Sequence, residues 1–221
     1  MICHPQHTPP SDQLERLGDM IASGAVRPLS VVPAPGDLIG FSGTSGLAAA
    51  INLATLGWPG IGLSHVGIVV QMHSGRLVVV ESTAVATEPC LIHRHHVRGA
   101  QVHDLAEILE RPGRIYHYPL RHPLSDGEAL RLQDYLLDLV QAECPYDFVG
   151  AARARFTLAA IIWRWKHGKE ALDSLFCSEL CAAGLRYAGR FHSKNASAWS
   201  PNQLCRAGVR RGVFCPQQRL K

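Results

Sequence analysis

Long apolar runs are missing from this sequence. The most apolar stretch, Leu47 to Leu56, falls well short of the ~20 residues that span a bilayer, so no stable membrane insertion is expected. Charge of one sign is scarce as well. Lys and Arg number 22 against 18 Asp and Glu, and the net +4 is scattered over 221 residues. That balance gives no argument for nucleic acid and favours at most weakly acidic partners. A disulfide framework is also lacking: Cys3, Cys90, Cys144, Cys177, Cys181, Cys205 and Cys215 are odd in number and irregular in spacing. Reduced thiols fit that pattern better. Met1 to Asp12 carries no basic stretch followed by an apolar one and does not read as a signal peptide, so a cytoplasmic location is expected, with delivery by lysis or a phage particle as the alternative. Repeats and low-complexity segments are absent. The remainder, 47% hydrophobic and 18% charged, suits one globular domain with a sizeable core.

The chain divides into a peripheral N-terminal arm, residues 1–34, and a single domain over 35–221. The arm is polar, with a short helix expected from Gln13 to Ser23 and a proline-punctuated end at Val31-Val32-Pro33-Ala34-Pro35. Pro35-Gly36-Asp37-Leu38-Ile39 reads as a turn feeding a strand. Gly43 to Gly62 carries Leu47, Ile51, Leu53 and Leu56 at roughly helical spacing and reads as an inserted short helix. The β-branched runs His65–Val70 and Leu77–Glu81 then predict two strands. Further strands are expected at Cys90–His93, Ala100–His103 and Arg114–Tyr118. After Pro123 the period becomes helical. Ser125-x-x-Glu128 is a capping box, and Ala129, Leu132, Leu136, Leu139 and Val140 form one stripe up to Pro145. Two more helices are expected, Phe148 to His167 and about Ser174 to Tyr187, the latter closed by Gly189. The class is α+β, with strands leading and helices following.

Chemistry is suggested at three positions. If Ser174 caps its helix, Cys177 lies in the first turn, where unpaired N–H groups and the dipole stabilise a thiolate. A buried free cysteine is the competing reading. His65 opens an apolar strand, where its ring can face a helix terminus, although a satisfied core histidine would look the same. Glu81 follows four apolar strand residues and is either an orienting carboxylate or a solvated strand end. His103-Asp104 is a weaker imidazole–acid pair. His93-Arg94-His95-His96 lacks acidic or cysteine partners nearby and reads as a solvated loop rather than a metal site. Cys181, at i,i+4 from Cys177, reads as core. Basic residues on the Phe148–His167 helix read as a solvated face.

Six pieces occur in order: Pro35-Gly36-Asp37-Leu38-Ile39, Ser64-His65-Val66-Gly67-Ile68-Val69, Glu81-Ser82-Thr83, Pro145-Tyr146-Asp147-Phe148, Phe176-Cys177-Ser178-Glu179-Leu180 and Ser200-Pro201-Asn202-Gln203-Leu204. Over roughly residues 35–205 this resembles the circularly permuted papain-like amidases of the YaeF/YiiX type, within the NlpC-like cysteine peptidase superfamily. The resemblance implies an antiparallel sheet packed against helices, with the nucleophile at a helix N-terminus. It implies Cys177 as nucleophile, His65 as base and Glu81 as the group that orients the imidazole. It also places Tyr146 near the site, as a substrate-binding or structural hydroxyl. Asp37 is expected to shape the turn into the first strand.

The expected reaction is acyl transfer through a thioester on Cys177, with backbone N–H groups at the helix start meeting the oxyanion. It calls for no metal and no organic cofactor. The substrate is an amide- or ester-containing small molecule, peptide or lipid, with peptidoglycan-type peptides favoured by the resemblance. A lipid thioesterase or acyltransferase, with Gly43–Gly62 forming an acyl groove, and a non-catalytic scaffold are the alternatives. Strand parity constrains the pairing of Glu81 with His65. A two-residue turn at Ser74-Gly75 would put them on opposite faces. An odd loop such as His73-Ser74-Gly75, with paired residue numbers summing to 148, pairs Glu81 with Gly67 on the face of His65.

Overall fold

The computed structural model describes residues 9–24, 32–42, 62–83, 88–143, 170–192 and 199–221, with 170–176 described in backbone only. Six strands form one antiparallel sheet: β1 (Leu38–Ser42), β2 (His65–Gln71), β3 (Leu77–Thr83), β4 (Gly99–Asp104), β5 (Arg114–Tyr118) and β6 (Gln218–Arg219), in the spatial order β4-β3-β2-β1-β5-β6. The helices are α1 (Ser11–Ala22), α2 (Leu105–Glu110), α3 (Asp126–Gln141), α4 (Glu170–Tyr187) and α5 (Pro201–Arg210). The expected α+β class, an antiparallel sheet against helices, is the observed one. None of the described helices is long and apolar enough to cross a membrane.

The central strands read as unbroken apolar runs because both of their faces are covered. Val66, Ile68, Val70, Val78 and Val80 join Leu132 and Leu136 of α3, Cys177, Leu180 and Cys181 of α4 and Leu204 of α5 in one core. Alternate residues Val69, Leu77 and Val79 meet Leu17 and Met20 of α1 and Leu105, Ile108 and Leu109 of α2 in a second. Burying each such side chain contributes roughly 1.5–3 kcal/mol. Helix α1, inside the segment read as a peripheral arm, is therefore part of the second core. Its Gln13 also holds the start of β3, donating to the Leu77 carbonyl (2.6 Å) and accepting from the Leu77 N–H (2.8 Å).

The hairpin between β2 and β3 has the odd loop that parity requires. Ile68 pairs with Val80 and Gln71 with Leu77, so paired numbers sum to 148. The Met72 N–H donates to the Arg76 carbonyl, leaving His73-Ser74-Gly75 as the loop, with Gly75 at φ +84°. Continued one step, this register sets Glu81 opposite Gly67.

Three expectations are corrected. Residues 90–93 form a turn, not a strand: the Arg94 N–H returns to the Cys90 carbonyl, and the Cys90 N–H to that of His95. Helix α4, expected from about Ser174, already includes Glu170, because Glu170-Ala171-Leu172 are strong helix formers and neither glycine nor proline stands between them and Cys177. Cys177 is thus the eighth residue of α4 and not in its first turn, so the fold places the thiol inside a helix rather than at its N-terminus. The third expectation falls with it. An interior N–H bonds the carbonyl four residues back and the dipole has faded, so neither can serve Cys177 as supposed. The helices expected over Gly43–Gly62 and Phe148–His167 lie outside the described residues, apart from Gly62 itself.

Gly67 tests the register. A Cβ there would stand 2.5 Å from Val79 Cγ1, 3.3 Å from the Val80 carbonyl and 3.4 Å from Glu81 Cβ. Gly67→Ala is expected to destabilise the protein by about 1–3 kcal/mol in denaturant unfolding, by forcing β2 and β3 apart.

Candidate active site

A carboxylate at the end of an apolar strand must find cations or lose its charge. Glu81 is 1% exposed and finds two. His65 Nε2 donates to Glu81 Oε2 at 2.7 Å. Arg111, one residue beyond α2, donates from Nη1 to the same oxygen at 3.1 Å and sets Nη2 2.8 Å from Oε1. Burial acts to raise the Glu81 carboxyl, but the hydrogen bond and charge of His65, and then Arg111, hold it well below the usual carboxylate range.

His65 is the first residue of β2 and 19% exposed. Its ring lies beside that of its cross-strand partner Phe41, centroids 5.5 Å apart, and Phe41 also carries the Arg111 guanidinium at 5.8 Å from its ring. With Nε2 committed to Glu81, Nδ1 is left for the Cys177 sulfur, which hydrogen-bonds the ring. Burial acts to lower the imidazole, but its interactions with Cys177 and then with the Glu81 carboxylate outweigh it and raise His65 to about 10. The ring bridges the two sides of the sheet. Glu81 shares the face of Val79 by alternation, whereas Cys177 belongs to the opposite core with α4. A histidine at the strand's first position can reach both because the sheet ends there.

The structure therefore brings Cys177, His65 and Glu81 together. Tyr146 lies outside the described residues. Asp37 holds the turn as expected, accepting from the Ala34 N–H (2.9 Å), and it also binds buried His117 (2.7 Å) and the Leu120 N–H (2.8 Å). The rival pair His103-Asp104 is split. Asp104 caps α2 through the Ala106 N–H and receives Gln13 and Arg76, while His103 lies between Glu81 (3.5 Å) and Glu88 (3.6 Å). Burial lowers the His103 imidazole. The His93–His96 segment is held in its turn, with His93 Nε2 donating to the Val140 carbonyl and His95 Nδ1 to that of His93.

Sequence reasoning missed Arg111 and Glu88. The guanidinium is shared: Nε and Nη2 donate to Glu88 at 3.1 and 2.7 Å. The signal present was Asp104-x-x-Glu107, a helix-start pattern that puts the chain after β4 back over the sheet, with Pro112-Gly113 ending it. Among the other described thiols, burial pushes Cys181 and Cys205 far above the ordinary thiol range, and Cys90 is fully buried.

Removing Arg111 would leave the buried carboxylate with His65 as its one remaining cation among the described residues. Arg111→Gln is expected to cost about 3–5 kcal/mol in chemical denaturation. The depressed Glu81 carboxyl contributes stability that is present above its ordinary value of 4.5 and lost as pH falls through the folded value. Without Arg111 that folded value rises, so acid unfolding should begin at higher pH. No protein-family model and no curated protein matches this chain.

Proposed function

We propose that this chain is a cysteine-dependent amidase or peptidase of permuted papain-like fold, with Cys177 as nucleophile, His65 as base and Glu81 as the orienting carboxylate. The observation that carries the reading is the double engagement of one imidazole, bound through Nε2 to a buried carboxylate and reaching a buried thiol with its other side. That is the arrangement in which a base is both oriented and made more basic. The order in the chain, histidine and acid before cysteine, agrees with the permuted arrangement.

In the reaction, the His65 imidazolium holds on Nδ1 the proton taken from Cys177, and the thiolate attacks the amide carbonyl. The C–N bond then breaks as the imidazolium gives its proton to the leaving amine. Water, deprotonated by His65, opens the thioester and returns the thiol. Glu81 stays ionised throughout, because Arg111 compensates its charge whenever His65 is neutral. Cys177 is fully buried, and of the three residues only His65 is partly open, so the carbonyl approaches over the imidazole. The resemblance favours amide bonds in peptidoglycan-type peptides as the substrate class.

Mass-spectrometric mapping of iodoacetamide labelling near pH 6 tests the reading. Cys177 should label first among the seven cysteines, and His65→Ala should slow it; uniform reactivity would remove the nucleophile. Cys177→Ala should abolish turnover with the fold intact, and His65→Ala should cost about 10²–10⁴-fold. Glu81→Gln should cost less, since it orients the base without replacing it. A base raised to about 10 keeps its proton for the leaving amine through neutral pH. Activity limited by amine departure should accordingly fall only as pH rises through about 10, and Glu81→Gln should move that limb to lower pH.

A further inference from the structure

The segment Trp199–Asn202 has no part in the proposed chemistry, yet it joins the two elements that carry it. Ser200 caps α5 with a complete capping box and Pro201 occupies the first helical position, so the backbone there has little freedom. Asn202, 6% exposed, turns its amide to a strand start 139 positions away in sequence. Its Oδ1 accepts from the Leu63 N–H (2.8 Å) and its Nδ2 donates to the Leu63 carbonyl (3.0 Å). Leu63 stands two residues before His65. On the other side, the Ser178 hydroxyl donates to the Trp199 carbonyl, and Ser178 directly follows Cys177. Trp199 is itself held, edge-on to Phe191 at 5.4 Å and under Arg211 at 5.2 Å.

We infer that Asn202 is a positioning residue for the His65–Cys177 pair, and that Trp199–Asn202 is the clamp that sets the distance between thiol and imidazole. The inference rests on the acyl-transfer reading above. Its physical basis is leverage. Residues 62–64 enter the sheet from one end only, and the Ser64 N–H bonds the Phe41 carbonyl (2.8 Å), so β1 and Asn202 together define where β2 begins. A two-point amide grip fixes the orientation of that peptide as well as its position. The imidazole must satisfy a carboxylate on one face of the sheet and a sulfur from the other, so a small rotation at its root breaks one of the two contacts.

The protein contains its own control. Gln13 grips the backbone of Leu77 in the same two-point manner, at the end of β3 remote from Glu81. Asn202→Ala and Gln13→Ala each remove one buried amide grip of the same kind. The readout is the pH dependence of Cys177 alkylation in the full chain, followed by mass spectrometry, with circular dichroism confirming the fold. Asn202→Ala should move the half-maximal pH toward the ~8.5 of a free thiol and slow labelling at pH 6 by about tenfold or more. Gln13→Ala should leave the profile in place even if the unfolding midpoint drops. The inference is overturned if folded Asn202→Ala keeps the wild-type profile, or if Gln13→Ala shifts it equally. Should Asn202→Ala fail to fold, Ser178→Ala cuts the other half of the clamp and is read by the same two outcomes. A wild-type protein in which Cys177 is not the fast thiol would overturn the acyl-transfer reading and this inference together.

Discussion

The charge on Glu81 is the constraint around which the site is built. A carboxylate buried to 1% exposure at the end of Val78-Val79-Val80 stays ionised only with cations in contact. Arg111 supplies one that cannot be deprotonated, and His65 supplies one that can. That difference gives the cluster its direction. The permanent cation makes the carboxylate permanent, and the permanent carboxylate raises the imidazole beside it. Glu88 and the Phe41 ring complete the frame around the guanidinium, and both come from elements adjoining the sheet's end.

The fold makes this arrangement possible by covering the sheet on both faces. Glu81 and Arg111 belong to the side of α1 and α2, whereas Cys177 belongs to the side of α3, α4 and α5. Only at the first residue of β2 can one side chain serve both. Interior positions of the strand are fixed to one face by the pleat. The hairpin register then matters in a way that ordinary packing does not require. A one-residue slip would turn Glu81 to the opposite core and leave His65 with the thiol alone.

Much of this was legible in the sequence because it follows from short-range rules. The alternation along β2 and β3, the left-handed preference of Gly75 and the odd loop together imply which face Glu81 takes, and the observed pairing agrees. The capping box at Ser125 was an equally local signal. Where the reading failed, the deciding information was not local. Ser174 resembles an N-cap, but the helix runs through it, since nothing upstream interrupts it as far as Glu170. That leaves His65, and not a helix terminus, as the polar partner of Cys177. Arg111 escaped because its partner is reached through a short helix that carries the chain back over the sheet. A salt bridge between positions 30 apart leaves no periodic trace.

The central claim is that His65 is held as an imidazolium between Glu81 and Cys177. The most direct measurement is an NMR titration of the His65 ring nitrogens and its Cε1–H in the folded protein. The account predicts that the ring stays protonated on both nitrogens through pH 8, and that Cys177→Ala brings its titration to lower pH. A ring that titrates near the ordinary 6.5, with the same midpoint in Cys177→Ala, would contradict it.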